Sequence, residues 1–434
     1  MIVFSPNITP RLRYSCNFIG KELTGDEPLL TASRDEFILY DGPRINYSHA
    51  RVTQDEFWIK PHSLLFEKGI QPQAIDCAEW NFHKIFFKTS GEAPFDIFAA
   101  VFYLLSRYEE YLPHEKDACG RFDYKASLAY RENFLELPVI NTWLQQLKVL
   151  LRNKFPGYEF LANRFTFLPT YDIDEASSFK YKQWWRSAGA ALKDLVRGRF
   201  ARLALRRRVL NGTVPDPFDS FAWIDDLHRP YKLHPRYFFL VTAKTGKYDR
   251  NILPDQTALQ TLIRHHAEKY IVGVHPSWQS GDDHSLIKSE KETIEKITGI
   301  KVTASRQHYI RMTLPHTYRY LINAGITEDY SMGYGSINGF RASVASPFFW
   351  YDLEKEQQSH LLLYPFCYMD ANSFFEQKLS PVQAIDEIYH YYNEVKKVNG
   401  TLVTIWHNTF LGTDRLFEGW REAYVQFFKE AARH

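Results

Sequence analysis

Hydrophobic and polar positions follow two different rhythms in the two parts of this chain. In PFDIFAAVFYLLSRYEEY, residues 94–111, Phe98, Val101, Phe102 and Leu105 recur at three- and four-residue spacing, the stripe of a core-facing helix. Pro94 suits the first turn of such a helix, where a missing N–H costs no hydrogen bond. Trp143, Leu147 and Leu150 mark the buried face of a second helix over 137–155. Strand-like runs at Glu36–Tyr40 and Ile85–Phe87 come earlier. Residues 1–162 therefore read as a smaller α+β domain. No gathering of His, Cys and carboxylates gives it chemistry, so packing or docking is its expected role.

From about Arg164 the texture changes. Apolar runs now end in polar clusters: RFTFLPTYDID (164–174), PRYFFLV (235–241), KYIVGVHPS (269–277), KVTASRQHY (301–309), ITEDYSMGY (326–334), HLLLYPF (360–366) and GTLVTIWHN (400–408). Helix-like segments separate most of them. Such alternation predicts an α/β unit over residues 163–434 with a parallel sheet, open or closed into a barrel. In parallel α/β barrels the C-terminal strand ends carry the active site. Here those ends hold Asp172, Asp174, His275, Arg306, His308, Asp329 and His407.

Composition excludes several classes. The 434 residues are 45% hydrophobic and 24% charged, a globular balance incompatible with a disordered or collagen-like chain. Aromatics reach 16%, suited to large cores or sugar-stacking clefts. The four cysteines, Cys16, Cys77, Cys119 and Cys367, form no CxxC pair, which argues against a zinc knuckle and fits a reducing compartment. The longest apolar run, Ile97–Leu105, is well short of the ~20 residues that span a bilayer. With no apolar stretch of secretory length at the start, a cytoplasmic protein is expected.

The net charge of +2 conceals an uneven distribution. Lys180–Arg208 carries ten basic residues against the single acid Asp194, a charge of +9 that leaves −7 for the rest. With Trp184, Trp185, Leu192, Leu203 and Leu205 this insertion reads as one or two basic amphipathic helices. It is either a solvated excursion or a contact for an anionic glycan or membrane surface. Nucleic acid is not expected as a partner, because no nucleic-acid fold signature accompanies the charge.

Strand alternation lets Asp172 and Asp174 point together, with Ile173 opposite. Two close carboxylates repel unless a cation neutralises one and the other titrates as a base; the bland reading makes one a helix cap. His275, followed by Pro276, is a candidate metal ligand or a lone core histidine. Arg306 is a carboxylate partner or a surface residue. His407, after Leu402, Val403 and Ile405, would be partly desolvated, with a pKa movable across neutrality.

The order TYDID, GVHPS, SRQHY, EDYSMGY, IWHN resembles the five motifs of the NodB-type polysaccharide deacetylases, carbohydrate esterase family four, over residues 164–434. GKYDRNI (246–252), GFRAS (339–343) and YPFCYMD (364–370) resemble a bacterial subgroup associated with surface polysaccharides; PFDIFAAVFYLLSRYEEYL and GRFDYKASLAY resemble the uncharacterised domain preceding its deacetylase module. The resemblance implies a distorted (β/α) barrel and a hydrolase that removes N- or O-acetyl groups from an acetylated amino sugar or glycan with a divalent metal, zinc foremost. It implies Asp172 as catalytic base, Arg306 as its orienting partner, the Tyr309 backbone N–H as oxyanion donor and His407 as general acid. Asp174 and His275 are the implied metal ligands.

Three departures from the family pattern matter. Ile173 separates aspartates that are adjacent in the family. Gln279 stands where a second histidine is expected, four residues after His275. Arg-x-Pro-Tyr becomes Arg306-Gln307-His308-Tyr309. Either His308 completes an Asp174/His275/His308 site, or Gln279 holds the metal through its amide oxygen, or metal binding has been lost. The last case corresponds to a catalytically weak relative that binds glycan or a partner. An amidase of non-sugar amides is a third reading, since a barrel does not fix a substrate.

Overall fold

The computed structural model describes residues 1–433. Four short strands, β1 (Ile2–Phe4), β2 (Leu29–Thr31), β3 (Arg44–Tyr47) and β4 (Phe57–Ile59), form a parallel sheet in the order β2-β1-β3-β4. A hairpin of β5 (Ala78–Trp80) and β6 (His83–Ile85) follows. The helix Pro10–Thr24 crosses behind: Thr9 caps it by accepting from the Leu12 N–H, Pro10 opens its first turn, and Gly25 at φ 87° ends it. Its buried positions Leu12, Cys16, Ile19 and Leu23 form one stripe.

Two local expectations fail here. Of Glu36–Tyr40, all but Tyr40 lies in a helix, Arg34–Leu39, because Ser33 accepts from the Glu36 N–H and starts a turn that a short apolar run does not reveal. The helix expected over 94–111 spans only Ile97–Leu105. Asp96, rather than Pro94, opens it by accepting from the Ala99 N–H, and Arg107 in the left-handed region (φ 54°) breaks it before a 3-10 turn. The break lets the buried Arg107 guanidinium meet Glu109 and Glu110, which in turn holds Arg341 far along the chain. The second helix, Val139–Lys154, falls where the stripe placed it.

Nine strands make the second sheet: β7 (Thr166–Ile173), β8 (Arg236–Phe239), β9 (Ile271–Val274), β10 (Ala304–Ser305), β11 (Glu328–Asp329), β12 (Phe348–Asp352), β13 (Gln357–Leu363), β14 (Tyr368–Met369) and β15 (Thr401–His407). Their order is β12-β13-β11-β10-β9-β8-β7-β15-β14, parallel throughout except for the antiparallel β12–β13 edge. The seven apolar runs each contain one parallel strand. Strands β12 and β14 are additions that the pattern does not signal. No ladder joins β12 to β14 among the described residues, so the sheet is an open one and not a hydrogen-bonded closed barrel. Strands β7 and β15 are buried along most of their length, as a parallel sheet covered on both faces requires.

One hydrophobic cluster runs through both sheets. Tyr14 and Phe102 of the N-terminal part pack on Tyr351 of β12, with ring centroids 5.0 and 5.1 Å away, and Arg11 pairs with Glu356 beyond it. The Phe340 N–H donates to the Leu135 carbonyl (2.8 Å) and the Ile140 N–H to that of Ser343 (3.1 Å). The basic insertion forms two helices, Trp184–Val196 and Phe200–Leu210.

Candidate active site

The polar strand ends meet at one mouth. Ile173 turns into the core, while Asp172 and Asp174 on its two sides face the cleft. His407, the last residue of β15, lies in register beside Asp172. His275 follows β9 directly. Beneath it, a Cβ on Gly273 would come within 2.6 Å of the Phe238 ring and 2.8 Å of the Ala304 carbonyl, so only glycine lets β9 pass there. His308 starts a tight turn in which Tyr309 and Ile310 both take positive φ, 58° and 54°.

Asp174 stands at the centre. Its Oδ1 is 3.1 Å from His275 Nε2, its Oδ2 is 3.3 Å from His308 Nε2, and His407 Nε2 is 3.5 Å from the same Oδ2. Each of these imidazoles is fixed from behind. His275 Nδ1–H donates to the Arg306 carbonyl (2.6 Å), His308 Nδ1–H to Asp249 Oδ1 (3.0 Å) and His407 Nδ1–H to Asp370 Oδ1 (2.6 Å). With Nδ1 engaged, the Nε2 lone pairs of His275 and His308 are aimed at the Asp174 carboxylate. Asp174 Oδ1 is buried and makes no hydrogen bond. A carboxylate oxygen and two imidazole lone pairs so arranged repel unless a proton or a cation lies between them. One carboxylate and two histidines with outward-facing Nδ1 donors are the ligands and outer partners of a catalytic zinc site, so the residues fit a divalent metal.

The surrounding charges agree. Asp172, Asp174, Asp249 and Asp370 oppose one guanidinium, Arg306, leaving a formal −3 with neutral imidazoles. Burial alone would raise the Asp174 pKa, but His308 and His407 hold it well below the usual carboxylate range. Burial alone would lower His308 and His407; the Asp174 and Asp249 carboxylates lift the first to about 9, and Asp370 with Asp174 lifts the second to about 10. Without metal the cluster thus draws protons; a dication competes for the same place.

On one side of this centre Arg306, fully buried over the Phe238 ring, donates to Asp172 Oδ1 at 2.7 Å. On the other, His407 is gripped twice by Asp370, whose Oδ2 also accepts from the His407 backbone N–H (2.7 Å). Gln279 does not face Asp174; its amide nitrogen donates to Asp249 Oδ2 (3.1 Å) and so steadies the partner of His308. Asp329 does not face the cleft either: it accepts from Ser305 and Ser331 and ties two strand ends together. The Tyr309 carbonyl accepts from Arg121 Nη1 (2.6 Å), so the N-terminal part reaches the mouth itself.

Asp249 and Asp370 are the residues that the motif reading passed over. Both lie in the segments GKYDRNI and YPFCYMD, which entered only as context for the resemblance. Their signal is one acid in a segment that follows a strand, too common to single out. The cleft, about 860 Å³, is bounded by this cluster, by Tyr248, Tyr309, Phe375 and Phe410, and by one face of the basic insertion.

Comparison with known proteins bears mainly on the first part. Residues 1–156 match a family model described as a family of unknown function (DUF7033). No curated protein matches the chain. Among solved structures, a Mycobacterium smegmatis protein described as a polysaccharide deacetylase is similar at 14% identity and a TM-score of 0.41, covering 62% of this chain and 84% of that one. The PuuE allantoinase is similar at 10% identity and a TM-score of 0.42, covering 63% and 85%. A mutant of a CE4 family pseudoenzyme is similar at 8% identity and a TM-score of 0.30, covering 62% and 63%.

Proposed function

We propose that this protein is a metal-dependent hydrolase that removes acetyl groups from an acetylated amino sugar or polysaccharide. One observation carries the reading: an Asp174/His275/His308 ligand set flanked by an arginine-paired carboxylate on one side and an aspartate-paired histidine on the other. These are the parts that water attack on an acyl group needs. Asp174, His275 and His308 would hold the cation, most simply zinc, which when bound supplies an acidified water and polarises the acyl carbonyl.

The chain's own groups do the rest. Asp172, kept in place by Arg306, accepts the proton from the attacking water as its oxygen bonds to the acetyl carbon. The Tyr309 backbone N–H stabilises the carbonyl oxygen as it gains charge. His407, kept protonated by Asp370 against its Nδ1–H, delivers its Nε2 proton to the departing sugar nitrogen or oxygen. The C–N or C–O bond breaks and acetate leaves with the water oxygen. A general acid of this kind contributes about 10²–10⁴-fold. The aromatic rings of Tyr248 and Tyr309, packed with Trp278, offer apolar faces for a sugar ring. We propose further that residues 1–162 form a supporting domain, since Arg121 fixes the Tyr309 carbonyl.

Acetate release from a panel of acetylated sugars, with zinc, cobalt or nickel added, tests this. D172N, H407A and H275A should each abolish release while the protein stays folded. Release undiminished in H275A or D172N would refute the mechanism. Failure of the wild type on the whole panel would favour a protein that binds glycan in the same cleft.

A further inference from the structure

The helix Trp184–Val196 has its faces reversed. At 100° per residue, Trp184, Trp185, Ala188, Leu192, Leu195 and Val196 fall within an arc of about 120°. All of them are exposed, Trp184 at 81% and Val196 at 79%. The opposite arc, with Arg186, Lys193, Asp194 and Arg197, lines the cleft. An ordinary surface helix turns its apolar stripe inward; this one turns it to solvent. Eight of the 22 large hydrophobic residues exposed among the described residues lie between Tyr181 and Leu210. The arm is nevertheless a built unit. Asp194 is buried between its two helices and faces Arg206 at 3.3 Å and Arg202 at 3.6 Å, while Arg206 lies over the Phe179 ring.

We infer that this arm seats the protein on an anionic lipid bilayer, with the apolar stripe lying in the interface. Charge selects the occupant. Arg207 and Arg208, on the second helix of the arm, are exposed, within a segment of charge +9. A second copy docking there would bring two such arms together and meet repulsion, whereas anionic headgroups neutralise them. Paired tryptophans beside arginines are the side chains that favour the boundary between headgroups and acyl chains. No helix among the described residues is long and apolar enough to cross a membrane, so the contact is interfacial. The seated arm then stands between the bilayer and the cleft that its opposite face lines.

Co-sedimentation of the full chain with phosphatidylcholine vesicles, with and without phosphatidylglycerol, tests this. Binding is expected only with phosphatidylglycerol and should weaken as salt rises. The triple variant W184S/W185S/V196S and the double variant R207E/R208E alter exposed positions, so their melting temperatures should match wild type. Each should lower vesicle affinity about tenfold or more. D172N and H275A should bind vesicles as wild type does, which separates this result from the fate of the catalytic reading. No binding to phosphatidylglycerol vesicles, or equal binding by the arm variants, would overturn it. So would a wild-type dimer that the triple variant converts to monomer, since a second copy would then cover the stripe.

Discussion

Replacing Asp249 by Asn probes the ligand assignment without touching a ligand. Asn keeps the size and an acceptor oxygen for the Trp278 N–H (2.8 Å), but removes the charge that faces His308 Nδ1. The formal charge around the site falls from −3 to −2. Loss of an outer partner of this kind costs roughly 10–100-fold in metal affinity, or about 1.4–2.7 kcal/mol. The proton complicates the size of the effect and makes it diagnostic. In the metal-free protein His308 titrates at about 9, because Asp174 and Asp249 outweigh the burial that opposes its charge. At pH 7 a metal must therefore displace a proton, and wild-type zinc affinity should rise as pH climbs toward about 9. In D249N that competing proton is held less tightly. The D249N deficit should accordingly be larger near pH 9 than at pH 7. Zinc titration against a chromophoric chelator at both pH values reads this directly. H308A should lose more affinity than D249N, and Q279A should change it less than about threefold, since Gln279 bonds to Asp249 and the Lys244 carbonyl and not to Asp174. Zinc binding unaltered by both D249N and H308A, or abolished by Q279A, would refute His308 as the third ligand.

Three further outcomes are expected. R306M leaves Asp172 buried without its cation and should destabilise the fold by about 3–5 kcal/mol in urea unfolding, where a loss under about 1 kcal/mol would count against the pair. Burial raises the Glu290 pKa to about 7 despite the Ser277 N–H it accepts. Its contribution to stability is thus fully present below its unfolded pKa and lost as pH rises through about 7. E290Q should flatten that decline between about pH 4.5 and 7, by up to about 3 kcal/mol, in unfolding measured across pH. G335A would place a Cβ 2.0 Å from Arg121 Nη1 and 2.7 Å from the Tyr309 carbonyl. It should lower the melting temperature by overpacking, typically about 1–3 kcal/mol, and reduce acetate release through the displaced Tyr309 turn.

Sequence alone sufficed for whatever is written in local periodicity. Seven apolar runs each became a parallel strand, and the stripe Trp143/Leu147/Leu150 became a helix face buried at its first two positions and half-buried at Leu150, because burial on a strand or helix follows spacing along the chain. The strand-end residues were legible for the same reason: period-two alternation turns Ile173 into the core and its neighbours into the mouth. Short-range hydrogen bonds limited this reading, as at Ser33 and Asp96, where a single cap set the element and its start.

Tertiary structure decided everything that depends on residues far apart. Asp249 became the partner of His308 and Asp370 that of His407 only when loops 59 and 37 residues away came to the same strand ends. Gln279, at the spacing of a ligand, was carried behind Asp249 by the turn that follows β9. The basic arm shows the same division. Its charge and its apolar stripe are plain in the sequence, but which face meets the cleft and which meets solvent is a matter of packing. Amphipathicity specifies two faces; only the fold assigns each its neighbour.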